Sequence, residues 1–398
     1  MRVDAVRSGF IHVNNTIVPG MSSLGQKERD LRIDFFRGLA LIFIFIDHVP
    51  DNTWARATLQ NFGFSDASEV FVLLAGYSAG LAYWSMSERE DFRGAFQRAS
   101  RRAREIYVWH IGIFIASALL LYTAARLFQN PAYVNNIAIA ELAKDPLRTL
   151  GATMALFYQP NQMNILPMYV VLMFWLPAAL FLIKRSVALA MTVSVGIWLV
   201  ANVASLNLPT HHRVTGWFFN PFAWQLLFTT GVAASVLLRR APLRPRPEFL
   251  IPIGAYLVFA FVVAAPWVAV PWLPDGRLLP RDLVEPMSKH DLSAWRLLHV
   301  LALAYLVATL VPAQASWLKR PWANVVQTCG KHSLEIFSLG TLLSFFGWIA
   351  LTELGSNPMT MLAVNAAGIG IMSVIAWQMS RRKELSRVSR PSVPALAS

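Results

Sequence analysis

A single cysteine, Cys329, leaves no partner for an intrachain disulfide, and a lone thiol in an apolar chain is more often a small buried hydrophobe than a reagent. Charge is scarce as well. Only 14% of the 398 residues are Asp, Glu, Lys or Arg, and acidic side chains are the minority, 22 against 35 basic, for a net charge of +13. No HExxH, CxxC or carboxylate spacing offers a metal cage, and there is no P-loop or dinucleotide fingerprint. Neither a metal nor a permanently bound cofactor is expected, and any catalysis falls to side chains alone. The first thirty residues hold Arg2, Arg7, Lys27 and Arg29 without an apolar run ahead of a small-residue cleavage site, so no cleaved signal peptide is read there.

What the chain has in abundance is apolar sequence, 56% of it, with a mean hydropathy of +0.46. It falls in blocks of about twenty residues, at about 31–49, 66–86, 106–128, 162–183, 187–206, 219–238, 249–270, 294–314, 330–350 and 358–379, each long enough for a hydrocarbon core about 30 Å thick. The roughly ten-residue alternation of a lipid-spanning barrel is missing. The expectation is an all-α polytopic membrane bundle of about ten spans, with segments 1–30 and 381–398 flanking a membrane domain at 31–380. The positive charge has a common cause in such a protein, retention of Lys and Arg on the cytoplasmic side, and nucleic acid is not expected as a partner. With both termini cytoplasmic, 26 of the 35 basic residues lie inside and 9 outside, and reversing the chain inverts that ratio. The longer outside connections are then Gln129–Asn161, Asn207–Trp217 and the Pro-rich Pro271–Asp291, while Arg381, Arg382, Lys383, Arg387 and Arg390 form a basic tail.

Ionisable residues inside such blocks are expensive and need a reason. The first block carries Arg32, Asp34, Arg37, Asp47 and His48. At about 100° per residue, eleven residues return to nearly the same helix face, so Arg37 and His48 line one side roughly 16 Å apart. His48 falls at the outer end, where a side chain able to take a proton near neutral pH can act as a general base, supported by Asp47 or by a carboxylate of a neighbouring helix. Asp66 and Glu69 open the second span at the same depth. Their plainer role is a helix N-terminal capping box, and for His48 it is an interfacial hydrogen bond to a loop. Gly76 and Gly80 form a small-xxx-small pattern suited to close helix packing.

Further along, Arg93, Arg98, Arg101, Arg102 and Arg104 precede the third span, with Tyr107 and His110 beyond them, a group able to hold a phosphate-bearing ligand such as coenzyme A. The positive-inside bias and lipid headgroups account for most of these arginines without one. Gln159, Asn161, Gln162, Asn164 and Tyr169 gather where the fourth span begins, and Asn220, Trp224 and Gln225 open the sixth. Amides and aromatic faces suit a sugar acceptor, and equally suit helix caps and an interfacial belt. His299, with Arg296 and Asp291 before it, is a further outer candidate; Lys331, His332 and Glu335 lie at the inner end of the ninth span, and His211 and His212 read as loop residues.

Arg32-Ile-Asp34-Phe-Phe-Arg37-Gly38 leading to Asp47-His48-Val-Pro50, then Gly63-Phe-Ser65-Asp66-Ala-Ser68-Glu69 and Gly76, resembles the OpgC (MdoC) family of bacterial glucan-modifying membrane acyltransferases. Weaker matches at Tyr107 to His110, Gln159 to Pro167, Asn220 to Phe228 and Gly330 to Gly340 extend the resemblance over nearly all of 28–380. The wider transmembrane acyltransferase superfamily shares an Arg and a His spaced as Arg37 and His48 are here. The resemblance implies a bacterial inner-membrane O-acyltransferase with His48 central to catalysis, an acyl-CoA donor on the cytoplasmic side, succinyl-CoA, and a hydroxyl of a periplasmic glucan as acceptor. Arg37, Arg98, Arg101, Arg102, Tyr107 and His110 are then donor-side candidates, and Asn164, Tyr169, Asn220, Trp224, Gln225 and His299 acceptor-side ones. Asn164 departs from the family pattern, an amide standing where relatives often carry an acidic residue, which weakens a catalytic role there. His48 as base and His48 as acyl carrier both remain open. Expected partners are the glucan, acyl-CoA and membrane lipids, with homo-oligomerisation left open. The rival from another class is a transporter exporting a glucan or sugar-lipid along the same polar residues; a membrane scaffold for glucan synthesis is a third reading.

Overall fold

The computed structural model describes residues 30–89, 92–135, 139–211, 215–241, 243–264 and 288–388. The chain divides into Met1–Asp30 and Leu31–Ser398, and all the described helices belong to the second unit. Most of the Pro-rich connection, His212, the first twenty-nine residues and the end of the basic tail lie outside the described residues.

Helices account for the architecture, and no strand occurs among the described residues. In chain order they are α1 (Leu31–His48), α2 (Ala67–Arg89), α3 (Phe92–Leu127), α4 (Ala132–Asn135), α5 (Ala140–Lys144), α6 (Pro146–Met154), α7 (Ile165–Arg185), α8 (Val187–Val203), α9 (Pro221–Arg240), α10 (Pro247–Ala264), α11 (Ala294–Leu310), α12 (Pro321–Lys331), α13 (Ser333–Leu354) and α14 (Pro358–Val388). Proline starts α6, α9, α10, α12 and α14, where its missing N–H costs nothing and its fixed φ already suits the helix. Side-chain caps add to this. Asn220 accepts from the Phe222 N–H at 3.1 Å, and Asp145 accepts from that of Arg148 at 3.2 Å.

Six helices among the described residues are long and apolar enough to cross a membrane: Phe92–Leu127, Ile165–Arg185, Pro221–Arg239, Pro247–Ala264, Ser333–Leu354 and Pro358–Ser386. Val187–Val203 and Ala294–Leu310 are apolar but shorter. The other two sequence blocks also fold as helices, α1 with Arg32, Asp34, Arg37 and Asp47 and α2 with Glu69 in its first turn. The connection expected as open loop at Gln129–Asn161 holds three short helices, α4 to α6. The block expected at 330–350 is broken at His332, where the backbone leaves helical geometry and α12 gives way to α13.

α1 and α2 are buried against partners by backbone contact. A Cβ on Gly38 would lie 1.9 Å from the Val326 carbonyl oxygen, and one on Gly330 would lie 1.9 Å from that of Asp34, so α1 and α12 touch main chain to main chain. Gly76 faces the Phe228 carbonyl and Gly231 that of Leu73 in the same way across α2 and α9, the close packing expected of small residues. The result places α1 centrally, with α2, α12 and α13 packed on it.

Candidate functional site

His48 ends α1, half-buried, with Nδ1 2.6 Å from the Ile44 carbonyl oxygen. A carbonyl can only accept, so Nδ1 carries the hydrogen and Nε2 keeps its lone pair. The His48 carbonyl accepts from Gln162 Nε2 at 2.9 Å, and Gln162 Oε1 accepts from the Ser344 hydroxyl at 3.2 Å. Gln162 has φ of 73°, a left-handed conformation that a non-glycine residue keeps only when its surroundings hold it. Here both ends of its amide are tied. The bond expected between Asp47 and His48 is not made: Asp47 Oδ1 accepts from the Thr58 hydroxyl at 2.5 Å and from Gln60 Nε2 at 3.0 Å. The imidazole is oriented by its own helix instead.

His48 lines a cavity of about 330 Å³ together with Ile44, Ser68, Asn161, Gln162, Asn164, Ile165, Phe218, Phe219, Lys289 and Phe337. One end is polar, with amides from the 159–164 turn. Beside it stands a charged group that the sequence only half revealed. Lys289 Nζ lies 2.6 Å from Asp66 Oδ2, Arg296 reaches Asp66 Oδ2 at 3.0 Å and Glu69 Oε1 at 2.7 Å, and Glu69 is wholly buried. Two cations and two carboxylates compensate one another, which is what makes their burial tolerable. The capping box is present as well, since the Asp66 N–H donates to Glu69 Oε2 at 2.8 Å and Asp66 Oδ1 accepts from the Ser68 N–H at 2.7 Å. The sequence offered capping or support of His48 for these two carboxylates; the structure shows capping together with ion pairing to Lys289 and Arg296, using different oxygens or lone pairs.

Lys289 is held in place by residues expected to touch an acceptor. Trp224, fully buried, donates from Nε1 to the Lys289 and His290 carbonyls at 3.1 Å each. Asn220 donates from Nδ2 to Asp291 Oδ1 at 2.8 Å and to the Leu206 carbonyl at 2.7 Å. Gln225 donates to the Ser194 carbonyl at 2.8 Å. None of the three lines either cavity; Trp224 and Asn220 fix the segment that presents Lys289, and Gln225 ties α9 to α8. His299 is buried, with Nδ1 2.7 Å from the Ser65 hydroxyl and 3.3 Å from its backbone nitrogen. It too stands apart from both cavities.

A second cavity, of about 260 Å³, is lined by Arg37, Phe71, Ser78, Tyr83, Arg102, Leu166, Tyr169 and Phe337 among others. Arg37 Nη2 donates to the Leu74 carbonyl at 3.0 Å and to the Ser78 hydroxyl, so its guanidinium is set against α2. Arg102 is more exposed and pairs with Glu105 at 2.7 Å. Arg98 and Arg101 do not line this cavity, although both act electrostatically on Tyr83, which does. Tyr107 and His110 are elsewhere: the Tyr107 hydroxyl donates to the Met154 carbonyl at 2.8 Å, and His110 is buried in α3 with no hydrogen bond to Nε2 among the described residues. Tyr169, expected beside Asn164, faces this cavity because one more turn of α7 separates it from the 159–164 amides.

Phe337 lines both cavities. Its ring stacks on Phe71 with centroids 6.2 Å apart, and Phe71 meets Tyr169 edge-on at 5.7 Å. Consecutive residues of α7 divide in the same way, Ile165 on the His48 side and Leu166 on the Arg37 side. An aromatic layer thus separates a compartment holding an imidazole from one holding two arginines. Sequence reasoning had no means to single out Phe337, one of 25 phenylalanines, or Lys289, whose ion-pair partner Asp66 lies more than 200 positions earlier in the chain.

Comparison with known proteins bears on this arrangement. Residues 29–384 match a family model described as OpgC protein. No curated protein matches the chain.

Proposed function

The chain belongs to the OpgC family, and from that premise we propose a membrane acyltransferase that moves a succinyl group from cytoplasmic acyl-CoA to a hydroxyl of a periplasmic glucan, with His48 as the base. The observation that carries this reading is the pair of cavities meeting at Phe337, one built for a proton transfer and the other lined by cations. The donor's phosphates stay with Arg37 and Arg102 while its acyl end reaches the aromatic layer. The acceptor occupies the His48 cavity, where Asn161, Gln162 and Asn164 offer amide partners and Phe218 and Phe219 offer apolar faces for a sugar. Succinyl as the acyl group follows the family resemblance, since the ammonium lining this cavity, Lys289, is already paired with Asp66 at 2.6 Å.

In the reaction the acceptor hydroxyl gives its proton to Nε2 of His48 as its oxygen attacks the thioester carbonyl. The carbon–sulfur bond breaks, CoA leaves as thiolate, and the imidazolium returns the proton to that sulfur. The Nδ1–H bond to Ile44 supports the base role, because it fixes the tautomer that base chemistry needs. Ten spans with both termini cytoplasmic, in a bacterial inner membrane, belong to the same reading: the charge count then puts Arg37 on the donor side and His48 on the acceptor side.

The experiment is a transfer assay with purified full-length protein, labelled succinyl-CoA and periplasmic glucan, comparing the parent with His48→Ala. Acylated glucan and released CoA from the parent, with both abolished in the variant, support the proposal. Glucan movement without CoA release favours the transporter instead.

A further inference from the structure

The Tyr169 hydroxyl is a buried polar group with no hydrogen-bond partner among the described residues. The residue is 5% exposed, its ring meets Phe71 edge-on, and it forms part of the wall of the Arg37 cavity beside the Phe71–Phe337 stack. An unsatisfied buried hydroxyl is costly, and native structures keep few of them. At this position a phenylalanine would fill the same space without that cost. Other orphaned groups, such as Ser117 in α3 and Ser194 in α8, line neither cavity.

Resting on the acyltransferase reading above, we infer that the Tyr169 hydroxyl hydrogen-bonds the donor's thioester carbonyl oxygen and stabilises the negative charge that grows there as the acceptor attacks. The placement fits the need. A donor whose charged end is held by Arg37 must bring its carbonyl to the aromatic layer to meet His48, and Tyr169 borders that layer. The phenolic O–H donates and keeps its proton throughout; the carbonyl carbon gains the acceptor oxygen and loses sulfur, while the acceptor's proton passes through His48 Nε2 to that sulfur. A donor preset where charge develops acts without reorganising at the moment of reaction.

Tyr169→Phe removes one oxygen and leaves the ring in place. Kinetics with succinyl-CoA and glucan are expected to show kcat lowered about 100-fold with the donor KM changed less than about threefold. A second measurement needs no turnover: binding of succinyl-CoA, and of a CoA thioether lacking the carbonyl, to the His48→Ala protein with and without Tyr169→Phe. The thioester is expected to bind about twofold tighter than the thioether when Tyr169 is present, and equally when it is phenylalanine. Unchanged kcat in Tyr169→Phe, or an equal loss for thioester and thioether, overturns the inference. If the parent releases no CoA, the acyltransferase reading fails by itself, and the binding comparison still decides whether the hydroxyl reads a thioester carbonyl.

Discussion

Nδ1 of His48 lies 2.6 Å from the carbonyl oxygen of Ile44, four residues earlier in the same helix. The imidazole therefore takes its orientation from α1 itself and needs no carboxylate partner to present Nε2. Asp47, adjacent in sequence, is engaged by Thr58 and Gln60 on the loop that leads to α2.

His48→Ala is accordingly expected to lower kcat by about 10²- to 10⁴-fold, and Asp47→Asn to leave it within about threefold of the parent. Thiol release from succinyl-CoA in the presence of glucan measures both. A large loss in Asp47→Asn with unaltered folding would mean that the carboxylate turns toward His48 during the reaction.

Arg296→Gln leaves Glu69, wholly buried, and Asp66 short of a cation. The expected cost is about 3–5 kcal/mol, read as a fall in unfolding temperature of the protein in detergent or nanodiscs. Adding Glu69→Gln should recover part of it, since the second change removes the uncompensated charge.

Arg102 is the exposed member of the cavity that contains Arg37, and its side chain keeps 39% of its accessible surface. Arg102→Gln should raise the donor KM a few-fold at low ionic strength and much less at about 1 M salt, where the Debye length shrinks to about 3 Å. A KM that ignores salt would argue against contact with the donor's phosphates.

Removing the Phe337 ring joins the two compartments. Phe337→Ala is expected to raise acyl-CoA hydrolysis relative to transfer, because water from the acceptor side gains the thioester. The readout is the ratio of free succinate to acylated glucan; an unaltered ratio would show that the ring is not what keeps water out.

The sequence made the helical membrane class plain, because blocks of about twenty apolar residues have few other uses. It also singled out His48, Arg37, Asp66 and Glu69, since charges at the ends of such blocks stand out against their surroundings. α1, with Arg32, Asp34, Arg37 and Asp47, and α2, with Glu69 in its first turn, stand outside the set of long apolar helices among the described residues. What stayed hidden was tertiary. Lys289 meets Asp66 across 223 positions, and Tyr169 separates from Asn164 only once the depth of each along α7 is known. Asn220, Trp224 and His299 have the right chemistry for a sugar and turn inward to hold loops instead.

Gly38 and Gly330 bring α1 and α12 together without side chains between them, and that has a consequence for how the first helix can vary. A helix seated backbone to backbone cannot slide to absorb an extra residue. One insertion between Arg37 and His48 would advance the imidazole by about 1.5 Å and swing it by about 100°, turning it away from the compartment it serves. Side chains along that stretch can drift, but its length is fixed: α1 works as a ruler whose eleven divisions set the spacing between the guanidinium of one cavity and the imidazole of the other.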